Sequence, residues 1–464
     1  MGGWNRSEAS EDVGLISEFG RKWAGSRSAR SAAAEDDSEM VRDRMNQVER
    51  MDYRRIGARA NSAARILESV LIFVLAICPL LQHYKGIFSD ASSDLMILLF
   101  PFLCFRLFAR RRLVIGPAAL LALYSIYISF IHGVDFYVLG REVILSVVFL
   151  SVLNGCIDIR RVINVSVKIA IFACILEIIQ YISYYILNRH MQLVPTNMLL
   201  DSAHQWVRLA QTGRISVTGS RMSFYRPSAF FLEPSHLAIY SMPALVMTLL
   251  PAGMNRRRMR DAILISLGML LSTSGLGIAY VVMTWGLYGM FYLGRKGKVR
   301  RVGLKDILRP RSLLFILAFI VLAVVLYNTV DVFRMSVNRI FFSVGGERTA
   351  IQGRTSAGIS LARSLVGRWI WIGLGDTMSY VNINLSGFFY TVVKFGIIGT
   401  VMYYIFYLRS LFRLKREFFW LCFMIVILSF FTVHTYATFY RMYFISFLLG
   451  GYRIAWEESR RRVA

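Results

Sequence analysis

The sequence predicts an all-α, polytopic integral membrane protein with about 12 transmembrane helices, both termini cytoplasmic and two long external segments. Three observations carry that expectation. Hydrophobic residues make up 56% of the 464-residue chain and charged residues only 18%, with a mean hydropathy of +0.51, more apolar than a soluble domain. The excess falls in runs of mostly about 15–25 residues, close to what a helix needs to cross a ~30 Å hydrocarbon core. The net charge of +26 gathers between alternate runs. Together these exclude a soluble enzyme, a secreted disulfide scaffold and a disordered chain. They also shift the meaning of the charge from nucleic acid to membrane sidedness.

Residues 1–65 are polar and mixed in charge, without an early apolar core, so they read as a disordered cytosolic tail rather than a signal peptide. The apolar runs follow at 66–82, 92–108, 113–131, 143–157, 162–187, 237–253, 262–274, 276–294, 312–330, 387–408, 418–434 and 436–455. The stretch 262–294 has basic clusters at both ends, and Ser272-Thr273-Ser274-Gly275 offers a turn, so it is expected to reverse as a hairpin. Residues 66–455 form the membrane domain, and 456–464 a cytosolic tail.

Sidedness follows from lysine and arginine in the short connections. With the N-terminus inside, the inner segments receive Arg110–Arg112, Arg160 with Arg161, the clusters at 256–260 and 295–311, Arg409 to Arg416, and Arg453 with Arg460–Arg462. The short outer loops and their borders receive only Lys85, Arg141 and Arg441. The opposite orientation fails at nearly every loop. Two long external segments remain, about 188–236 and 331–385, and long loops between membrane helices are commonly functional.

Cys78, Cys104, Cys156, Cys174 and Cys422 all lie in apolar runs without CxxC spacing, so they read as small core residues. All six histidines map to the outer half, and no HExxH, paired-cysteine or acidic cluster suggests a metal.

Both long segments are basic, and, histidine aside, every basic residue in them is arginine. Arginine presents a planar fork that pairs bidentately with phosphate. The bland alternative is pairing with lipid headgroups or nearby acids; the two segments together point to a phosphate or diphosphate at the outer membrane surface. The densest motif runs from Arg226 through Glu233-Pro234-Ser235-His236 straight into an apolar run. Pro234 suits the first position of that helix, Glu233 its N-cap, and His236 its first turn. The helix N-terminus favours an anion, and Glu233 or His236 could accept a proton from a sugar hydroxyl. Equally, Glu233 could merely cap the helix and His236 sit at headgroup level.

In the second segment, 354–370 reads as one amphipathic helix. On it Arg354 and Arg368 would differ by about 40° in direction and face one ligand, with Arg363 pointing elsewhere. Gly373-Leu374-Gly375 marks a turn. Within the spans, Lys168 suits snorkelling at a helix end, and Glu177 and Lys394 are candidates for a lipid-linked substrate path.

The segment Arg226 to His236, the Ser272–Gly275 break, the stretch Arg354 to Gly375 and the segment Gly387 to Gly399 resemble the Wzy-type polysaccharide polymerases of the O-antigen polymerase and O-antigen ligase superfamily. The likeness covers roughly residues 66–455, and its most specific part is the arginine-to-Glu-Pro-Ser motif before a membrane helix. It implies a GT-C-like, inverting glycosyltransferase on the periplasmic face of the bacterial inner membrane. Its substrate would be oligosaccharide repeat units on undecaprenyl diphosphate, used without cofactor or metal. Membrane lipid and a chain-length regulator or export complex are the implied partners, with no nucleic acid. On this likeness Arg226 and Arg354 match the arginines expected to hold diphosphate, and Glu233 lies within the matching motif. Together with the residue reading, Glu233, His236 and Arg354 are the catalytic candidates, and Arg221, Arg226, Arg363 and Arg368 the candidate diphosphate ligands.

Two departures stand out. Trp369-Ile370-Trp371 replaces the proline often found before Gly-x-Gly, and Asn382 and Asn384 stand where ligases tend to carry histidine. The second favours a polymerase over a ligase and weakens a histidine mechanism in the second segment. A ligase and a flippase of lipid-linked oligosaccharide are the alternatives. A flippase should show inverted repeats and midplane charges, and no clear internal repeat is visible.

Overall fold

A computed structural model describes residues 62–110, 113–133, 136–200, 212–217, 220–250, 256–291, 350–375, 385–414, 417–432 and 438–463, with single positions between 317 and 338 and at 436. The expected tail over 1–65 lies outside the described residues except for its last four, which are already helical; most of the run 312–330 is also outside them. The chain divides into residues 1–68 with 457–464, and residues 69–456. The packing described below belongs to the second unit.

The described chain is helical apart from one hairpin. In order come α1 (Ser62–Leu81), α2 (Ala91–Phe108), α3 (Pro117–Ile131), α4 (Phe136–Leu153), α5 (Ile159–Tyr185), β1 (Thr212–Val217), β2 (Ser220–Tyr225), α6 (Pro234–Leu249), α7 (Arg256–Leu271), α8 (Gly275–Phe291), α9 (Ala350–Arg363), α10 (Arg368–Ile372), α11 (Gly387–Arg413), α12 (Glu417–Phe431) and α13 (Thr438–Val463). Four of them (α2, α4, α5 and α11) are long and apolar enough to cross a membrane. Large apolar side chains such as Leu98, Phe105, Phe130, Phe172 and Ile405 stand exposed on the outside of the bundle, as expected where lipid rather than water is the neighbour. This is a helical membrane protein. Helix α13 runs on through 456 to Val463.

Short polar caps start two of the long helices. Asp90 accepts from the Ser93 N–H at 2.8 Å to open α2, and Asp158 accepts from the Arg160 N–H at 3.0 Å to open α5. The centre of the bundle is α6, buried along its whole length except at Ser235 and Met247. A helix buried on every side is a core helix, and α5, α7 and α8 pack around it. The expected reversal between 262 and 294 is present. Helix α7 ends at Leu271, Thr273 takes a left-handed φ of 51°, and α8 runs back so that Trp285 Nε1 donates to Ser266 Oγ at 2.8 Å. The five cysteines are free and all but Cys104 are buried.

Two expectations need correction. The first long segment, read as carrying helical patterning, holds an antiparallel pair instead, with Thr212 opposite Tyr225 and Val217 opposite Ser220, one hairpin in an otherwise all-α fold. Ile215 and Val217 alternate with Arg214 and Ser216 before Thr218-Gly219, a two-residue hairpin signature too short for a membrane-scale reading to register. The expected helix over 354–370 is two helices. Ser364 folds its hydroxyl back to the Leu361 carbonyl at 2.7 Å and Gly367 adopts φ 63°, which ends α9 before α10 begins. Arg354 and Arg368 therefore share no continuous helical phase.

Helix α11 is broken at Gly396, where φ is 66°. Two carbonyls before the break find outside donors. Val393 accepts from the Leu374 N–H at 2.7 Å, and Phe395 accepts from the Tyr124 hydroxyl at 2.7 Å. Gly373, at φ 74°, lies so close that a Cβ there would sit 2.4 Å from the Gly396 nitrogen. Gly373→Ala is therefore expected to destabilise the protein by roughly 2–5 kcal/mol through strain and overpacking together. A lowered unfolding midpoint of the detergent-purified variant checks it; an unchanged midpoint contradicts the close approach.

Candidate functional site

The segment between β2 and α6 is tied down on several sides. Tyr185 donates its hydroxyl to the Tyr225 carbonyl at 2.7 Å. Gln180, one turn earlier on α5, accepts from the Ala229 N–H at 2.7 Å and donates to the Met191 carbonyl at 2.9 Å. Tyr84 donates to the Phe230 carbonyl at 3.0 Å, and Ser228 closes a local turn onto Phe231 at 2.8 Å. Ala229 is held at a φ of 51°. A left-handed alanine costs free energy that neighbouring contacts must offset, and such positions cluster at functional sites.

Glu233 is the N-cap of α6 and Pro234 its first residue, as expected. The Glu233 side chain makes no cap hydrogen bond. Instead it accepts from the Ser235 hydroxyl at 2.8 Å, and its charge is felt at both His236 and Tyr440. His236 is buried, its ring stacked on His83 with centroids 5.0 Å apart and planes 5° from parallel. Tyr440 of α13 donates its hydroxyl to the His236 carbonyl at 3.3 Å. The Glu233 carboxylate thus makes no cap hydrogen bond, and the His236 imidazole is buried against protein.

His83 sits in the α1–α2 connection, and its Nε2 is buried without a hydrogen-bond partner among the described residues. Burial, and then the neighbouring His236, lower its pKa to about 3. The unfolded chain takes up this proton near pH 6.5 and the folded protein only near pH 3, so stability falls as pH drops through that window. The free energy of unfolding should decline on acidification, by up to about 1.4 kcal/mol for each pH unit, and His83→Gln should flatten the profile. Parallel profiles for the two proteins contradict this.

Arg226 is nearly buried, and its charge acts on the Glu177 carboxylate of α5, which is wholly buried. Arg221 lies on β2 opposite Ser216, and Arg354 in the second turn of α9. Arg363 and Arg368 are exposed, at the end of α9 and the start of α10. The Arg368 guanidinium lies over the Trp369 ring at 4.5 Å, and that ring stacks on His132 at 4.8 Å. So Arg226, Glu233 and His236 share one tethered segment, whereas Arg363 and Arg368 are split across the α9–α10 break. Lys394 is buried at the α11 break, and Lys168 is exposed on α5. His204, His434, Asn382 and Asn384 lie outside the described residues.

Sequence reasoning missed His83, Tyr440 and the pair Glu142–Arg441. For the last, the available signal is an arginine inside the 436–455 run and an acid at the edge of the 143–157 run; Arg441 counts instead among the outer-loop borders. No group of three or more metal-ligating side chains occurs among the described residues. The fold and this cluster define a helical membrane protein with a carboxylate–imidazole site at the head of its central helix. No family model matches the chain, and no curated protein is significantly similar to it.

Proposed function

We propose that the protein is a polysaccharide polymerase, a Wzy-type membrane glycosyltransferase of about 12 spans with cytoplasmic termini. It joins undecaprenyl-diphosphate-linked repeat units at the periplasmic face of the inner membrane. The observation that carries this reading is the environment of Glu233, a half-buried carboxylate at the N-terminus of the core helix beside a buried imidazole. A helix N-terminus favours anions, and the resemblance of the same segment to the polymerases supplies the reaction class.

In this reading Glu233 accepts the proton of the acceptor sugar hydroxyl. That oxygen bonds to the anomeric carbon of the donor chain as the bond to the diphosphate breaks, with inversion. The electron pair leaves with the diphosphate, which Arg226 and Arg354 receive, assisted by Arg221, Arg363 and Arg368. His236, packed against His83, holds the first turn of α6 in place.

Arg354→Ala tests the assignment. Long polymer is expected to vanish while the protein remains in the membrane and single lipid-linked units accumulate, facing outward. Units held on the inner leaflet would favour a flippase. Intact polymer lacking only its transfer to a final acceptor would favour a ligase.

A further inference from the structure

Glu142 and Arg441 form an ion pair sealed inside the bundle, with 4% and 2% of each residue exposed. Arg441 Nη2 donates to both carboxylate oxygens, at 2.6 and 2.5 Å. Nη1 approaches the hydroxyls of Tyr403 at 3.2 Å and Ser125 at 3.3 Å. One guanidinium thus joins α13 to α3, α4 and α11. Tyr403 also meets the edge of Tyr436, whose ring centre is 5.4 Å away. Removing two charges from water costs more than it returns in most interiors, and apolar side chains of equal volume hold helices together as well or better. The use of such a pair is geometric.

What it fixes is the neighbouring residue. Tyr440 precedes Arg441, is fully buried, and donates to the His236 carbonyl in the first turn of α6. Adjacent helical residues point about 100° apart, so two side chains held by separate partners set both the rotation and the height of α13. We infer that Arg441 is a positioning residue. Its pairing with Glu142 holds Tyr440 against His236 and so fixes the helix turn that presents Glu233. This inference rests on the functional reading above.

The test uses the purified full-length protein with lipid-linked repeat units extracted from a strain that lacks it. Arg441→Lys keeps the charge and loses the fork. Its kcat should fall about fivefold or more with KM for the lipid-linked unit unchanged. Tyr440→Phe should fall similarly, and the two changes combined should cost no more than either alone. Should Arg441→Lys not accumulate, the same cycle is run with Glu142→Met and Arg441→Met together, which restores apolar volume. Wild-type kcat in the Arg441 variant, or losses that multiply with Tyr440→Phe, overturn the inference alone. No polymer from the unaltered protein overturns the functional reading and the inference with it.

Discussion

Glu233→Gln is expected to abolish polymer formation while leaving the protein in the membrane at its normal level. The exchange keeps volume and shape and removes the proton acceptor. The start of α6 loses no cap hydrogen bond, because the Glu233 side chain makes none, and the lost charge at the helix N-terminus costs only about 0.3–1 kcal/mol. Ser235, which now donates to the carboxylate at 2.8 Å, can donate equally to the amide oxygen. A positioned general base contributes roughly 10²–10⁴-fold to rate, so residual polymer should fall below ordinary detection. The measurement is chain-length analysis of surface glycan beside immunodetection of the membrane protein. Near-normal polymer in the glutamine variant removes Glu233 from the chemistry. Loss of the protein itself would instead make Glu233 a structural residue.

The largest effect on stability is expected from Arg441→Ala. That change leaves the Glu142 carboxylate buried without its partner, and breaking a buried pair in this way costs about 3–5 kcal/mol. A typical domain has only about 5–15 kcal/mol to lose, so the unfolding midpoint and the amount of protein in the membrane should both drop. Removing Glu142 as well should recover part of the loss, because the stranded charge goes with it. Equal instability in the single and double alanine variants would show that lost packing volume, not charge, sets the cost. Glu233→Gln should lower turnover with the protein level kept, and Arg441→Ala should lower the protein level itself, which separates the two roles.

The head of α6 was readable because its signals are local. Proline at the first helical position, glutamate before it and an uninterrupted apolar run after it lie within one short stretch. The α7–α8 reversal was readable for the same reason, from a small polar break flanked by basic clusters. The α9–α10 break was missed because Leu361, Leu365 and Val366 keep a helical spacing, while the Ser364 back-bond and the left-handed Gly367 end the helix. The β1–β2 hairpin was missed because six-residue strands fall below the length scale on which membrane runs are read.

Composition and order alone determined that this chain is a helical membrane protein, that the described runs are helical, and where a carboxylate and a histidine share one helix end. Those properties depend on transfer of side chains from water and on neighbours a few residues away, which a linear sequence contains. Only the tertiary structure decided that His83 stacks on His236, that Tyr440 reaches the same turn, and that Glu142 meets Arg441 across 299 positions. Each of those contacts depends on how helices rotate and slide against one another. That choice is made by packing of the whole bundle and leaves no periodic trace along the chain.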